Sequence, residues 1–465
     1  MPAECSLFAE AFLAVLAAGA LAVPINLRWS FSEAQGAIHS VGAQIIFIDE
    51  EVLATFGGLA QDHGLRCIIL GASSPVTGAD IQTGADGAAM ICFTSGTAGA
   101  PKGAVLSHAA LHSQAIAKLL MVGYRREDVY LHCAPLFHIG GMSSMLAVLA
   151  AGATQVFQPV FSAASTLDLI AAHNVTAFIA VPAMVVSLNE AAQSRPAAQA
   201  HAVNSHGEPS AMVGPAPDLA AQSAGPAHAH PSPRGVCPTG SALTRVQRIL
   251  LGGGELPEHL QRRLRLLFPR AICMTAYGMT EACSSITFRP MHAEASGPFP
   301  DYLRTSAASR GSASQAAVAE GICVGHPPPG IEVAVLCSAA CAESAVASGG
   351  WVGGAEQAVT RIATSAGAAG EVLTRGPHVM LGYWDDPAAS GRAFLPGGWL
   401  KTGDLGAFDA GGALWLLGRL KDVVRSGSEN VNGAAVERVL LQLAGVAGAA
   451  VVGLPHDQLG EQSRM

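Results

Sequence analysis

Ile91-Cys92-Phe93-Thr94-Ser95-Gly96-Thr97-Ala98-Gly99-Ala100-Pro101-Lys102-Gly103 is the stretch from which the rest of the chain can be read. The apolar run Ala88 to Phe93 leads into it as a short buried strand. From Thr94 to Gly103 there are three glycines, two threonines, a serine and one lysine. Small residues let a backbone come close to a ligand. Successive N–H groups in such a loop form an anion-binding concavity, and the hydroxyls and Lys102 add donors and charge. The physical reading is a phosphate-holding loop; the alternative is a plain turn in a chain with 53 glycines. It is not the common P-loop, which needs G-x-x-x-x-G-K-[ST] opening a helix. Here Gly103-Ala104-Val105 reads as a second strand, so the loop joins two strands.

The ordered Ser-Gly-Thr-x-Gly-x-Pro-Lys-Gly string resembles the signature loop of the adenylate-forming enzymes, which include acyl-CoA synthetases, adenylation domains and luciferases. The resemblance implies a loop that closes over the β- and γ-phosphates of ATP. Thr94, Ser95, Gly96, Thr97, Gly99 and Lys102 would be its contacts.

At 465 residues the chain has room for one large and one smaller domain. Half of it is hydrophobic, 13% is charged and the net charge is −8, with no basic stripe to argue for nucleic acid. Ten cysteines are scattered without a C-x-x-C pair or zinc-type spacing, and read as reduced buried thiols. The apolar stretch Ala11 to Ile25 follows Glu10 and is broken by Pro24. It is short for a membrane span, and no basic leader or transit peptide is visible at Met1.

Leu7 to Gly19 reads as a helix, Ala20 to Ile25 as a strand, and Ser32 to Val41 as a helix capped by Ser30. Ala43 to Ile48 is another strand. Alternating strands and helices argue for a layered α/β domain. Ser107 to Met121 is a helix with Ser107 as a cap. Stretches near 193–241, 295–315 and 338–367 are Ala/Pro/Ser/Gly-rich without period and read as disordered surface insertions. They include the histidine cluster His201, His206, His228 and His230, taken as loop composition. The expected architecture is α/β: a large domain (1–420) of layered subdomains with a small β-barrel-like part, then a small, truncated α+β domain (421–465).

Four further motifs carry chemistry. Pro135-Leu136-Phe137-His138-Ile139-Gly140-Gly141 puts a histidine between a strand end and a glycine pair. By resemblance, His138 lines the acyl pocket and the route to the thioester. Gly252-Gly253-Gly254 ends a strand and is weak alone; the family uses it as one wall of the adenine site, through Gly253 and Gly254. Ala276-Tyr277-Gly278-Met279-Thr280-Glu281 is stronger. Tyr277 offers an aromatic face, Thr280 a hydroxyl and Glu281 a hard oxygen for Mg²⁺. Read without the family it is also a helix start with Thr280 as its cap. Lys401-Thr402-Gly403-Asp404 suits a bidentate grip on vicinal hydroxyls, which the resemblance assigns to ribose. Leu414 to Asp422 then resembles the domain junction, with Arg419 at ribose or phosphate and Lys421 as hinge. Gly370 to Pro377 and Gly382-Tyr383-Trp384 read as structural.

Three stretches narrow the resemblance to one branch, the plant-type 2-succinylbenzoate–CoA ligases of phylloquinone synthesis: Pro24 to Ser30, Tyr277 to Phe288, and Thr402 to Asp409. Met279, Cys283 and Ser284 would shape the acyl pocket beside His138. The implied needs are a carboxylic acid, ATP, Mg²⁺ and coenzyme A. The implied place is the chloroplast, with peroxisome or cytoplasm as alternatives. The family pattern also implies sequence ahead of Met1 and a longer small domain with a late lysine, a role no residue here takes. Another acid–CoA ligase, or a nucleotide-binding fragment without full activity, stays open.

Overall fold

The computed structural model describes residues 6–49, 53, 55–59, 65–70, 87–94, 101–194, 243–291, 321–338, 351–352, 360–363, 369–426, 429–441, 443, 445–446, 448–456 and 460–464. Ser95, Gly96, Thr97 and Gly99, and most of the three insert-like stretches, lie outside the described residues.

The architecture is mixed α/β, as expected. A six-stranded sheet runs in the order Ser284–Pro290, Ile272–Met279, Arg248–Leu251, Ala177–Ala180, Val129–His132, Thr154–Phe157. Its neighbours are parallel except for the hairpin formed by the first two. Parallel strands need long crossovers, and the helices Ile139–Ala150, Ala163–His173 and Glu258–Leu267 supply three of them. The central strands Ala177–Ala180 and Arg248–Leu251 are buried at every position, so apolar runs replace alternation. Arg248 is the charged exception, and its Nη1 lies 2.8 Å from Asp128 Oδ1. Thr176 Oγ1 donates to the same oxygen at 2.7 Å.

The signature loop bridges two antiparallel strands, Ala88–Phe93 and Gly103–Ser107, and Gly382–Tyr383 adds to the latter. Thr94 N donates to Lys102 O at 2.8 Å and closes the loop's neck. Ser107 Oγ then accepts from Ala110 N at 3.0 Å and starts the helix His108–Val122, which Gly123 ends in the left-handed region at φ 75°. The Ser30 cap is also present, as a reciprocal box with Glu33. The strand expected at Ala20 to Ile25 shrinks to one bridge, Ala22 beside Met90. Pro24 has no N–H with which to continue the ladder.

The barrel-like part is an eight-stranded antiparallel sheet that includes Ile322–Gly325, Leu414–Arg419, Trp399–Phe408, Gly370–Arg375 and Glu332–Ser338. Thr360–Ala363 and Trp351–Val352 are also strands of this sheet, although they fall in a stretch read as a disordered insertion. A four-residue strand gains its backbone bonds from the strand already beside it and needs no apolar run, so composition hid it. Beyond Lys421, four short strands and the helix Gly433–Leu440 form the small α+β part.

The largest hydrophobic cluster joins Cys92 and Leu106 of the loop hairpin, Ile139 and Met142, Cys283 and Ile286, and Val372 and Leu400 of the barrel-like sheet. A side chain buried as fully as Leu106 or Ile286 contributes about 1.5–3 kcal/mol. One core therefore welds three sheets, and one cleft is lined from all three.

Candidate active site

That cleft encloses about 840 Å³. Thr94, Lys102, His138, Gly253, Gly278, Met279, Thr280, Glu281, Ser284, Asp404, Arg419 and Lys421 all line it. They come from positions as far apart as 94 and 421, and the fold brings them together. Gly254, Tyr277 and Cys283 are not in the lining.

One part of the cleft is built by sheet register. Asp404 and Arg419 are cross-strand partners, and Arg419 Nε lies 3.2 Å from Asp404 Oδ1. Tyr277 reaches the site through its hydroxyl, which donates to Asp404 Oδ2 at 2.7 Å. Burial raises the pKa of Asp404, while Tyr277 and Arg419 hold it down. Each carboxylate oxygen keeps a second lone pair for a ligand hydroxyl.

Glu281 and Lys102 meet on one tyrosine. Tyr383 OH donates to Glu281 Oε1 at 2.8 Å, and Lys102 Nζ stands 5.1 Å from the Tyr383 ring centroid. Three backbone bonds lock this corner: Met380 N to Glu281 O, Leu381 N to Val105 O and Trp384 N to Gly103 O, each 2.8 Å. Tyr383 was read as structural, and so was Glu371, which also lines the cleft and accepts from Gly403 N at 3.2 Å. Their strand context gave no sign that they face it. Among the described residues no three His, Cys, Asp or Glu side chains gather for a metal. Mg²⁺ usually takes one or two carboxylates plus substrate phosphates, so a single Glu281 beside the phosphate loop fits that ion.

Elsewhere in the cleft lining, His138 caps the helix Ile139–Ala150, its Nδ1 accepting from Gly140 N at 3.2 Å. That bond leaves the proton on Nε2. Solvent reaches the ring, yet the surrounding walls desolvate it; burial first, and Lys118 second, lower its pKa. Gly141 is obligatory, since a Cβ there would stand 2.3 Å from Pro135 O.

The Tyr277-to-Glu281 motif ends a strand and enters a single 3₁₀ turn, Thr280–Ala282, and not a helix. Cys283 and Ser284 then take φ 53° and 112°, left-handed values that only tight packing sustains. This turn corrects the expectation for Cys283. It sends the side chain into the core, where burial pushes the thiol's pKa far up, and only Ser284 lines the cleft. Two buried polar residues that sequence reading passed over hold this region. Gln114 Nε2 donates to Ser285 O at 2.6 Å and Ala282 O at 3.4 Å, and its Oε1 accepts from Ser285 N at 3.1 Å. Lys118, one turn later, lines the cleft. The signal was available: polar side chains at 114 and 118 share a helix face with buried Leu111, Ala115, Met121 and Val122.

A lysine at the loop neck, a buried carboxylate paired with an arginine and a histidine at a helix start thus meet in one cleft. The chain belongs to the AMP-binding enzyme family, which matches residues 4–384. It is an acyl-CoA ligase of the AMP-forming type. It is 32% identical over 484 residues to the chloroplastic/peroxisomal 2-succinylbenzoate–CoA ligase of Arabidopsis thaliana, covering 98% of this chain and 73% of that one. With indoleacetate–CoA ligase of Aromatoleum aromaticum it shares 28% identity, over 95% of this chain and 72% of the other. The fold is that of the Bacillus subtilis o-succinylbenzoate coenzyme A synthetase solved with ATP and magnesium ion. The TM-score is 0.69 at 25% identity, over 99% of this chain and 77% of that one.

Proposed function

We propose that the enzyme joins 2-succinylbenzoate to coenzyme A at the expense of ATP, giving 2-succinylbenzoyl-CoA, AMP and pyrophosphate. The observation that carries the reading is the convergence of Lys102, Glu281, Asp404–Arg419 and His138 on one cleft. The Arabidopsis relative supports the choice of acid. In the first step a substrate carboxylate oxygen bonds to the α-phosphorus of ATP and the bond to the β-phosphate oxygen breaks. This leaves an acyl-adenylate and pyrophosphate. Thr94, Ser95, Gly96, Thr97, Gly99 and Lys102 hold the departing phosphates, with Thr280. Gly253, Gly254 and Gly278 let backbone approach the adenine, Tyr277 steadies Asp404, and Asp404 with Arg419 holds the ribose. Glu281 would hold Mg²⁺, which supplies charge neutralisation at the phosphates. The protein's work is positioning and charge stabilisation.

In the second step the coenzyme A sulfur bonds to the acyl carbon and AMP leaves. His138 stands beside that carbon, Lys421 is the hinge of the small domain, and Met279 and Ser284 shape the pocket. A role in phylloquinone (vitamin K1) biosynthesis, in a plastid or peroxisome, goes with this substrate. Pyrophosphate release with Mg-ATP, without coenzyme A, across a panel of acids tests the reading. Selective release with 2-succinylbenzoate is expected. Selective release with another acid would remove the substrate while leaving the reaction class in place.

A further inference from the structure

Lys118 sits where a lysine is costly. It has no exposed surface, yet it reaches the cleft wall. Its Nζ lies 2.6 Å from Ser143 Oγ, 2.9 Å from Ser144 Oγ and 3.2 Å from Gly140 O. Both serine hydroxyls give their own protons to helix carbonyls, Ser143 to Ile139 O at 2.6 Å and Ser144 to Gly140 O at 2.9 Å. The amine therefore faces three acceptors, an arrangement made for an ammonium group with three protons.

Among the described residues no carboxylate forms an ion pair with Lys118. The titratable groups that act on it or feel it are Cys283, on the turn packed against its helix, and His138, at the cap of the Ile139–Ala150 helix. Burial pushes the Cys283 thiol far up and His138 down, so neither supplies an anion at neutral pH. Burial also pulls Lys118 down to about 7. A buried cation without a counter-ion is a standing penalty that an apolar side chain of equal length would avoid.

Among the described residues nothing on the protein supplies the counter-charge, and the cleft that Lys118 lines is the route by which a ligand can bring it. On the Lys118 wall the lining is Ile139, Gly140, Ile179, Met279 and Ser284, which suits a carbon skeleton better than a triphosphate. We infer that Lys118 receives a second carboxylate of the acid, so that the enzyme selects dicarboxylic acids: one carboxylate is activated, and the other replaces the long Gly140 contact at the buried ammonium. The inference rests on the acid–CoA ligase reading and sharpens it. 2-Succinylbenzoate carries two such carboxylates, one on the ring and one on the chain.

The test compares 2-succinylbenzoate with 4-oxo-4-phenylbutanoate, the same acid without the ring carboxylate. In the Lys118→Met variant the ratio of their kcat/KM values for pyrophosphate release is expected to fall about 100-fold, mostly through KM. Where turnover is too slow, the ratio of Kd values serves. An equal loss on both acids overturns the inference and makes Lys118 a packing residue. The wild-type enzyme provides a second reading that needs no variant. Calorimetric binding at pH 8 in two buffers of different ionisation enthalpy should show proton uptake with the diacid and none with the monoacid; equal uptake overturns it. Preference of the wild type for a different diacid, such as malonate, keeps Lys118 in its role and removes only 2-succinylbenzoate. Preference for monoacids removes the inference and leaves the ligase class.

Discussion

Among the described residues two cationic side chains are buried, Arg248 and Lys118, and the molecule treats them in opposite ways. Arg248 lies in the parallel sheet against Asp128, which also takes the Thr176 hydroxyl. Every charge there has its partner inside the protein. Lys118 is held by two hydroxyls and a carbonyl, with no anion. A self-sufficient pair is scaffold. An uncompensated one beside a cleft marks where a ligand has to bring what is absent.

The comparison breaks most visibly at Asp128. Asp128→Asn should cost about 3–5 kcal/mol of stability by stranding Arg248, read by urea or thermal unfolding, with the preference between acids unchanged. A loss under about 1 kcal/mol would make Arg248 no better provided for than Lys118.

The second effect is pH-dependent. The folded pKa of Lys118 is lowered from 10.5 to about 7, so the unfolded chain binds the proton more tightly. The resulting penalty is full below about 7 and fades as pH rises toward 10.5. The stability of wild type relative to Lys118→Met should therefore rise between those limits, by at most about 1.4 kcal/mol per pH unit. A gap that does not move with pH would mean Lys118 has a partner after all.

A smaller change probes the proposed nucleotide end, where Asp404 pairs with its own cross-strand neighbour Arg419. Tyr277→Phe removes one charge-assisted bond, and the KM for ATP should rise about 10-fold with little change in KM for the acid. The smallest effect separates helix from charge. Ser107→Ala should cost about 1 kcal/mol at the start of the helix that carries Lys118. The ratio of diacid to monoacid activity should stay as it was.

The same contrast governs what the sequence could say. The loop neck, His138, Glu281 and Asp404 were legible because their chemistry is local: glycines, hydroxyls and a charge within a few residues. Gln114 and Lys118 were not. Each makes its contacts 22 to 171 residues away, and a polar residue on a buried helix stripe reads as an interruption until its partners are known. Cys283 failed for the converse reason. Its position was right, but two left-handed residues turned it inward, and backbone hand at a non-glycine residue leaves little trace in composition. Glu371 fell in a stretch read as a strand and Tyr383 in one read only as structural, and Tyr383 pairs with the loop hairpin instead of the barrel-like sheet; which side chains then meet the cleft depends on register across sheets.

Gln114 has a consequence for anyone who would retune this enzyme. Through one amide, the cleft wall at Ser284 and Ser285 and the helix beneath it are a single mechanical unit. Redesign at Met279 or Ser284 that leaves Gln114 in place inherits a rigid frame. A Gln114→Glu change would set an oxygen against the carbonyls of Ala282 and Ser285 and spring the frame open. A new pocket is therefore best transplanted with its helix, as one exchangeable block.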